Sequence, residues 1–100
     1  MIRVILIDDV ATVRRALRHL LSRDGQCEIV AEGRDGEEAV ALTERLRPDI
    51  VLMDVDMPRM DGLAATREIM ARCATPILIV TSSSVYDERH MPFAAIESGA

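Results

Sequence analysis

Four short apolar runs divide the chain: residues 2–7, 27–32, 50–53 and 77–80. In the first, third and fourth the aliphatic and β-branched residues are contiguous rather than alternating, which is the pattern of strands covered on both faces. Cys27-Glu28-Ile29-Val30-Ala31-Glu32 is more polar and reads as a strand at a sheet edge. Between these runs the apolar spacing changes to a helical period. Over 11–23, Val13, Leu17, Leu20 and Leu21 share one side while Arg14, Arg15, Arg18 and Arg23 fall largely on the other, and Gly25 stops the helix. Asp35-Gly36 precedes a second helix, Glu37 to Leu46, with its stripe at Ala39, Val40, Leu42 and Leu46; it ends before Pro48. Leu63 to about Cys73 is a third, with Leu63, Thr66, Ile69 and Met70 spaced to face a sheet, closed by Pro76. Pro92 to Ser98 reads as a short fourth helix before Gly99.

A β-α-β-α-β-α-β-α alternation predicts an α/β fold with a parallel sheet and right-handed crossovers. The first strand, the most apolar, belongs in the interior of the sheet and the second at its edge. Each of the apolar runs 2–7, 50–53 and 77–80 delivers polar residues at its carboxyl end: Asp8-Asp9, then Asp54 with a Pro/Gly-punctuated loop, then Thr81-Ser82-Ser83-Ser84. In open parallel sheets that end of the strands is where ligands sit. If the first and third strands are neighbours, three carboxylates converge.

Composition narrows the picture. One hundred residues make one domain with a real core. Tyr86 and Phe93 are the only aromatics, so that core is aliphatic. A net charge of −5 and the lack of stacking residues exclude nucleic acid as a direct partner. The N-terminal apolar run is cut off by Asp8 and Asp9, too early for a signal sequence or membrane span, which predicts a soluble cytoplasmic protein with no membrane partner. Cys27 and Cys73 share no metal-ligand spacing with each other or with His19 and His90, and read as buried free thiols.

Hard oxygen donors clustered without Cys or His suit Mg2+, which accepts one or two carboxylates and keeps several waters. Asp8, Asp9 and Asp54 fit that description, and a cation would relieve their mutual repulsion. A carboxylate can also be the nucleophile in phosphoryl transfer, and Asp54 is the best candidate. Thr81 and the amides beside it could donate hydrogen bonds to a phosphoryl group held there. Acidic residues at strand ends also serve as turn formers or helix caps. Two such sites at two separate strand ends weigh against that reading, while for Thr81 a plain turn hydroxyl stays open.

Three ordered motifs carry a resemblance: Ile5-Leu6-Ile7-Asp8-Asp9, then Leu52-Met53-Asp54 with Met57-Pro58 and Met60-Asp61-Gly62, then Pro76-Ile77-Leu78-Ile79-Val80-Thr81-Ser82. Nearly the whole chain resembles the receiver domain of two-component response regulators. The resemblance implies a doubly wound, flavodoxin-like sheet of order 2-1-3-4-5 and Asp54 as phosphoacceptor. It further implies Mg2+ held by Asp9, Asp54 and the Asp56 backbone carbonyl with Asp8 assisting, Thr81 as switch hydroxyl, and a loop shaped by Met57-Pro58 and Gly62. The implied partner is a histidine kinase or phosphotransfer domain docking on the first helix, whose four arginines would steer an acidic surface; the alternative is a merely solvated face.

The chain departs from that family at its end. A receiver contributes a lysine at the tip of a fifth strand and then a fifth helix, and neither is reached by Ala100. Residues 1–100 thus read as a receiver lacking its fifth β-α unit, with the fourth strand exposed as an edge that favours self-association. The 81–84 tip and the Glu97-Ser98-Gly99-Ala100 ending are similar to the regulatory domain of chemotaxis-type protein-glutamate methylesterases. In that case an enzymatic domain outside these residues is the output; a transcriptional regulator or a stand-alone receiver are the alternatives. Asp54-Val55-Asp56 also matches the D-x-D of haloacid-dehalogenase-like phosphatases, although that motif usually follows a first strand and here follows the third. Ser83 and His90 lack the elbow and orienting spacing of a serine hydrolase, and no G-x-G-x-x-G supports a dinucleotide site.

Overall fold

The computed structural model describes residues 1–80 and 93–95. In chain order its elements are β1 (Ile2–Ile7), α1 (Ala11–Ser22), β2 (Cys27–Gly33), α2 (Gly36–Leu46), β3 (Ile50–Met53), α3 (Gly62–Cys73), β4 (Ile77–Val80) and β5 (Phe93–Ala95). The sheet order is β2-β1-β3-β4-β5. β1 pairs in parallel with both β2 and β3, and β3 with β4. The apolar β1 is therefore interior and the more polar β2 lies at the edge, as the patterning predicts.

Period-two alternation divides the buried residues between two layers. Ile5, Ile7, Val51, Met53, Ile77 and Ile79 point to one face, where Ala39 and Val40 of α2 and Ala65, Ile69 and Cys73 of α3 complete a single cluster. Each fully buried Val, Ile or Met side chain of this cluster stabilises the fold by about 1.5–3 kcal/mol. Val4 and Leu6 are buried on the opposite face, against which α1 packs. Helix starts and stops follow the sequence signals. Asp35 caps α2 by accepting from the Glu38 amide at 2.9 Å, and Asp61 caps α3 from the Ala64 amide at 2.8 Å. Arg47, just before Pro48, closes α2 in the left-handed region at φ 49°, and Gly25 turns the chain after α1 at φ +74°.

Four expectations need correction. Residues 93–95, placed in a helix from Pro92 to Ser98, form a strand antiparallel to β4, with Leu78 opposite Ala95 and Val80 opposite Phe93. The free backbone groups of β4 exert the stronger demand, and the three-residue strand meets it. Self-association through an open fourth strand, expected from the sequence, has no open edge to use, because β5 occupies it. On α1, Leu20 is 57% exposed and no residue is fully buried. The helix is rotated so that Arg14 lies half-buried with Val13, Leu17 and Leu21 on the inward side, at the expense of Leu20. Of the two thiols, Cys73 is buried and Cys27 only half-buried. Thr81, the 82–84 hydroxyls and His90 lie outside the described residues.

Candidate acidic pocket

The site is built by register. Ile7 of β1 stands opposite Met53 of β3, so the next residues, Asp8 and Asp54, leave neighbouring strands at the same level. The Asp54 amide donates to the Ile7 carbonyl at 2.9 Å and the Asp8 amide to the Gly33 carbonyl at 3.1 Å, which fixes both strand tips. Carboxylate oxygens of Asp8, Asp9 and Asp54 all lie within 4.8 Å of one another. Asp8 is 2% and Asp54 3% exposed, whereas Asp9 faces solvent. Two nearly dehydrated carboxylates beside a third exposed one are costly alone, and a hard, partly hydrated cation at the open side would offset their charge. The donor set, three oxygens with no sulfur or imidazole, fits Mg2+.

Residues 54–62 lead from Asp54 into α3. Asp61 and Gly62 begin α3, and the Gly62 amide returns to the Val55 carbonyl at 2.9 Å. A Cβ on Gly62 would stand 2.3 Å from the Asp54 carbonyl oxygen, so a glycine is required where α3 passes behind the candidate nucleophile. Arg59 takes the left-handed conformation at φ 70°, and its guanidinium reaches Asp35 at 3.3 Å and Glu37 at 3.3 Å. Beside it the Gly36 amide donates to the Met60 carbonyl at 2.8 Å, which ties the loop to the start of α2. Asp56, two residues beyond Asp54, is exposed on this loop.

On the α1 side, Asp8 Oδ1 accepts from the Val10 amide at 2.9 Å, and Arg14 donates from Nη1 to the Asp8 carbonyl. Arg14 Nε also donates to Glu32 Oε1 at 3.0 Å, while Arg18 Nε donates to Glu32 Oε2 at 2.7 Å. Burial pushes the Glu32 carboxyl up, but the hydrogen bonds and charges of Arg18 and Arg14 outweigh it and hold the group below the usual carboxylate range. Sequence reasoning brought Asp8, Asp9 and Asp54 together correctly and missed this bracket. Its only signal was an arginine one and a half turns after Asp8-Asp9 and an acid at the end of the edge strand.

A parallel sheet with strand order β2-β1-β3-β4, carboxylates at the tips of its two adjoining inner strands and an Asp-Gly-capped helix behind them, defines a signal-receiver domain. The chain belongs to the response regulator receiver domain family, whose pattern matches residues 4–100. Among curated relatives it is 45% identical, over all 100 of its residues, to a protein-glutamate methylesterase/protein-glutamine glutaminase of Syntrophus aciditrophicus, of which it spans 29%. Among solved structures, the response regulator domain of Thermotoga maritima CheB superposes with a TM-score of 0.80 at 34% identity, covering 82% of this chain and 61% of that one. The CheX–CheY–BeF3–Mg2+ complex of Borrelia burgdorferi superposes with a TM-score of 0.77 at 27% identity, covering 81% and 62%. The phosphatase reading of Asp54-Val55-Asp56 gains no support. Among the described residues, no helix is long and apolar enough to cross a membrane.

Proposed function

We propose that this domain accepts a phosphoryl group on Asp54 from the phosphohistidine of a histidine kinase or phosphotransfer domain, and thereby switches an output carried outside residues 1–100. The observation that carries the reading is the convergence of the Asp8, Asp9 and Asp54 oxygens at adjoining strand tips. One Asp54 carboxylate oxygen forms the new O–P bond as the donor's N–P bond breaks, and the electron pair leaves on the imidazole nitrogen. Asp9, Asp54 and the Asp56 carbonyl would hold Mg2+, with Asp8 supporting them; when bound, the ion supplies positive charge against the phosphoryl oxygens. Burial of Asp54 limits competing water, and the clamped 54–62 loop keeps its carboxylate from swinging. Thr81, next after β4, is the candidate hydroxyl donor to the phosphoryl group.

The Mg2+ assignment draws support from the donor set and from the Borrelia relative, solved with Mg2+ and BeF3. The methylesterase relatives support an output domain of that kind, acting in chemotaxis. A Mg2+ titration followed by amide NMR tests the pocket. Shifts should centre on residues 8–10 and 54–57 and be lost in Asp9→Asn. Shifts that arise elsewhere and survive that substitution would refute the site.

A further inference from the structure

We propose that Arg14 is a positioning residue for the acidic pocket: through the Asp8 carbonyl, and braced by Glu32, it orients the Asp8–Asp9 turn for a divalent cation. The inference rests on the Mg2+ reading of the pocket. The Arg14 side chain is only 14% exposed, an enclosure that a guanidinium tolerates when its donors are matched. Its partners lie on two other elements, the tip of β1 and the end of β2. Glu32 cannot drift, because Arg14 holds one of its oxygens and Arg18 the other. A fixed Glu32 fixes Arg14, and Arg14 fixes the carbonyl it donates to.

That carbonyl belongs to the peptide plane joining Asp8 to Asp9. Because the plane is rigid, its orientation sets the direction in which Asp9, the exposed member of the triad, leaves the strand tip. No side-chain helix cap shares this task at the start of α1. Asp35 and Asp61 cap α2 and α3, whereas the α1 cap is Val10, with no side-chain hydrogen bond and no acid in the first turn. The start of α1 is joined to the pocket by the Val10 amide on Asp8 Oδ1 and by Arg14 on the Asp8 carbonyl. The same demand explains why α1 turns Arg14 inward and leaves Leu20 exposed.

Positioning and bare charge make opposite predictions. A cation beside three carboxylates repels Mg2+, so removing its charge alone tightens the ion; losing an outer-shell support of a metal site typically weakens it about 10- to 100-fold. The experiment measures the Mg2+ Kd by amide NMR, with thermal unfolding alongside, for the parent, Arg14→Lys, Arg14→Gln, Glu32→Gln and Arg18→Gln. Lysine keeps the charge but lacks the fork that spans Asp8 and Glu32. Arg14→Lys and Arg14→Gln should both raise the Kd about tenfold, Glu32→Gln should raise it less, and Arg18→Gln should change it less than about twofold. Glu32→Gln keeps the test open should an Arg14 variant not fold. Tighter binding in Arg14→Gln, a parental Kd in Arg14→Lys, or a lowered Tm with an unchanged Kd would overturn the proposal. A parent that binds no Mg2+ would overturn the pocket assignment itself.

Discussion

Gly36→Ala isolates the contact between α2 and the loop that follows Asp54. A Cβ built at Gly36 would lie 2.2 Å from the Met60 carbonyl oxygen and 2.7 Å from both the carbonyl carbon and Cβ of Met60. Ordinary C···O contacts begin near about 3.3 Å, so the Met60 backbone must retreat by about 1 Å. The retreat breaks the 2.8 Å bond from the Gly36 amide, at about 0.5–1.5 kcal/mol, and adds overpacking strain of about 1–3 kcal/mol. Alanine at the first helical position restricts the unfolded chain and returns about 0.4–1 kcal/mol. The net destabilisation is about 2 kcal/mol, enough to lower the urea midpoint by about 1 M at unchanged m. Gly25→Ala is the informative control: nothing lies within 4 Å of its Cβ, but its φ of +74° adds backbone strain of about 1–2 kcal/mol. Both variants should lose stability, and only Gly36→Ala should also weaken Mg2+ binding, because its strain passes into the 54–62 loop. Parental stability in Gly36→Ala, or equal Mg2+ affinity in the two variants, would refute this reasoning.

Because Glu32 titrates below the ordinary value of 4.5, its contribution to stability is complete above that pH and is lost as pH falls through its folded pKa; urea midpoints of the parent and Glu32→Gln should differ near neutrality and converge below pH 4.5. A pH-independent gap would disprove the assignment. Burial raises the Cys73 thiol above 9.0, while Cys27 is half-buried, so iodoacetamide should modify Cys27 first and reach Cys73 only on unfolding; equal rates by mass spectrometry would contradict the packing. Asp56→Asn should change the lifetime of an Asp54 phosphate without blocking its formation, since a carboxylate two residues away is placed to orient or repel the attacking water. An unchanged decay rate would leave Asp56 as a surface charge.

The pocket was legible because strand register carries it. Contiguous apolar runs place β1 and β3 inside a parallel sheet, and residues that follow two paired strands at the same level must meet; Asp8 and Asp54 needed no further information. Capping residues and Pro48 marked the helices for the same local reasons. What escaped were choices made by tertiary contacts. The helical period of α1 allows Leu20 or Arg14 on the inner side, and only Glu32 on β2 and the carbonyl at the tip of β1 decide for Arg14. Residues 93–95 carry little local preference, and pairing with β4 overrides the helical reading. Leu63, whose spacing pointed to the sheet, is exposed, while Thr66 and Ile69 face inward as expected, with Ala65 and Cys73 buried beside them.

The central claim is that Asp54 is the phosphoacceptor of a Mg2+-dependent receiver. Mass spectrometry of the intact protein after incubation with a small acyl phosphate and Mg2+ tests it most directly. The account predicts a single added phosphoryl group, absent without Mg2+ and absent in Asp54→Asn. A phosphoryl group that persists in Asp54→Asn, or that maps to Asp56, would contradict it.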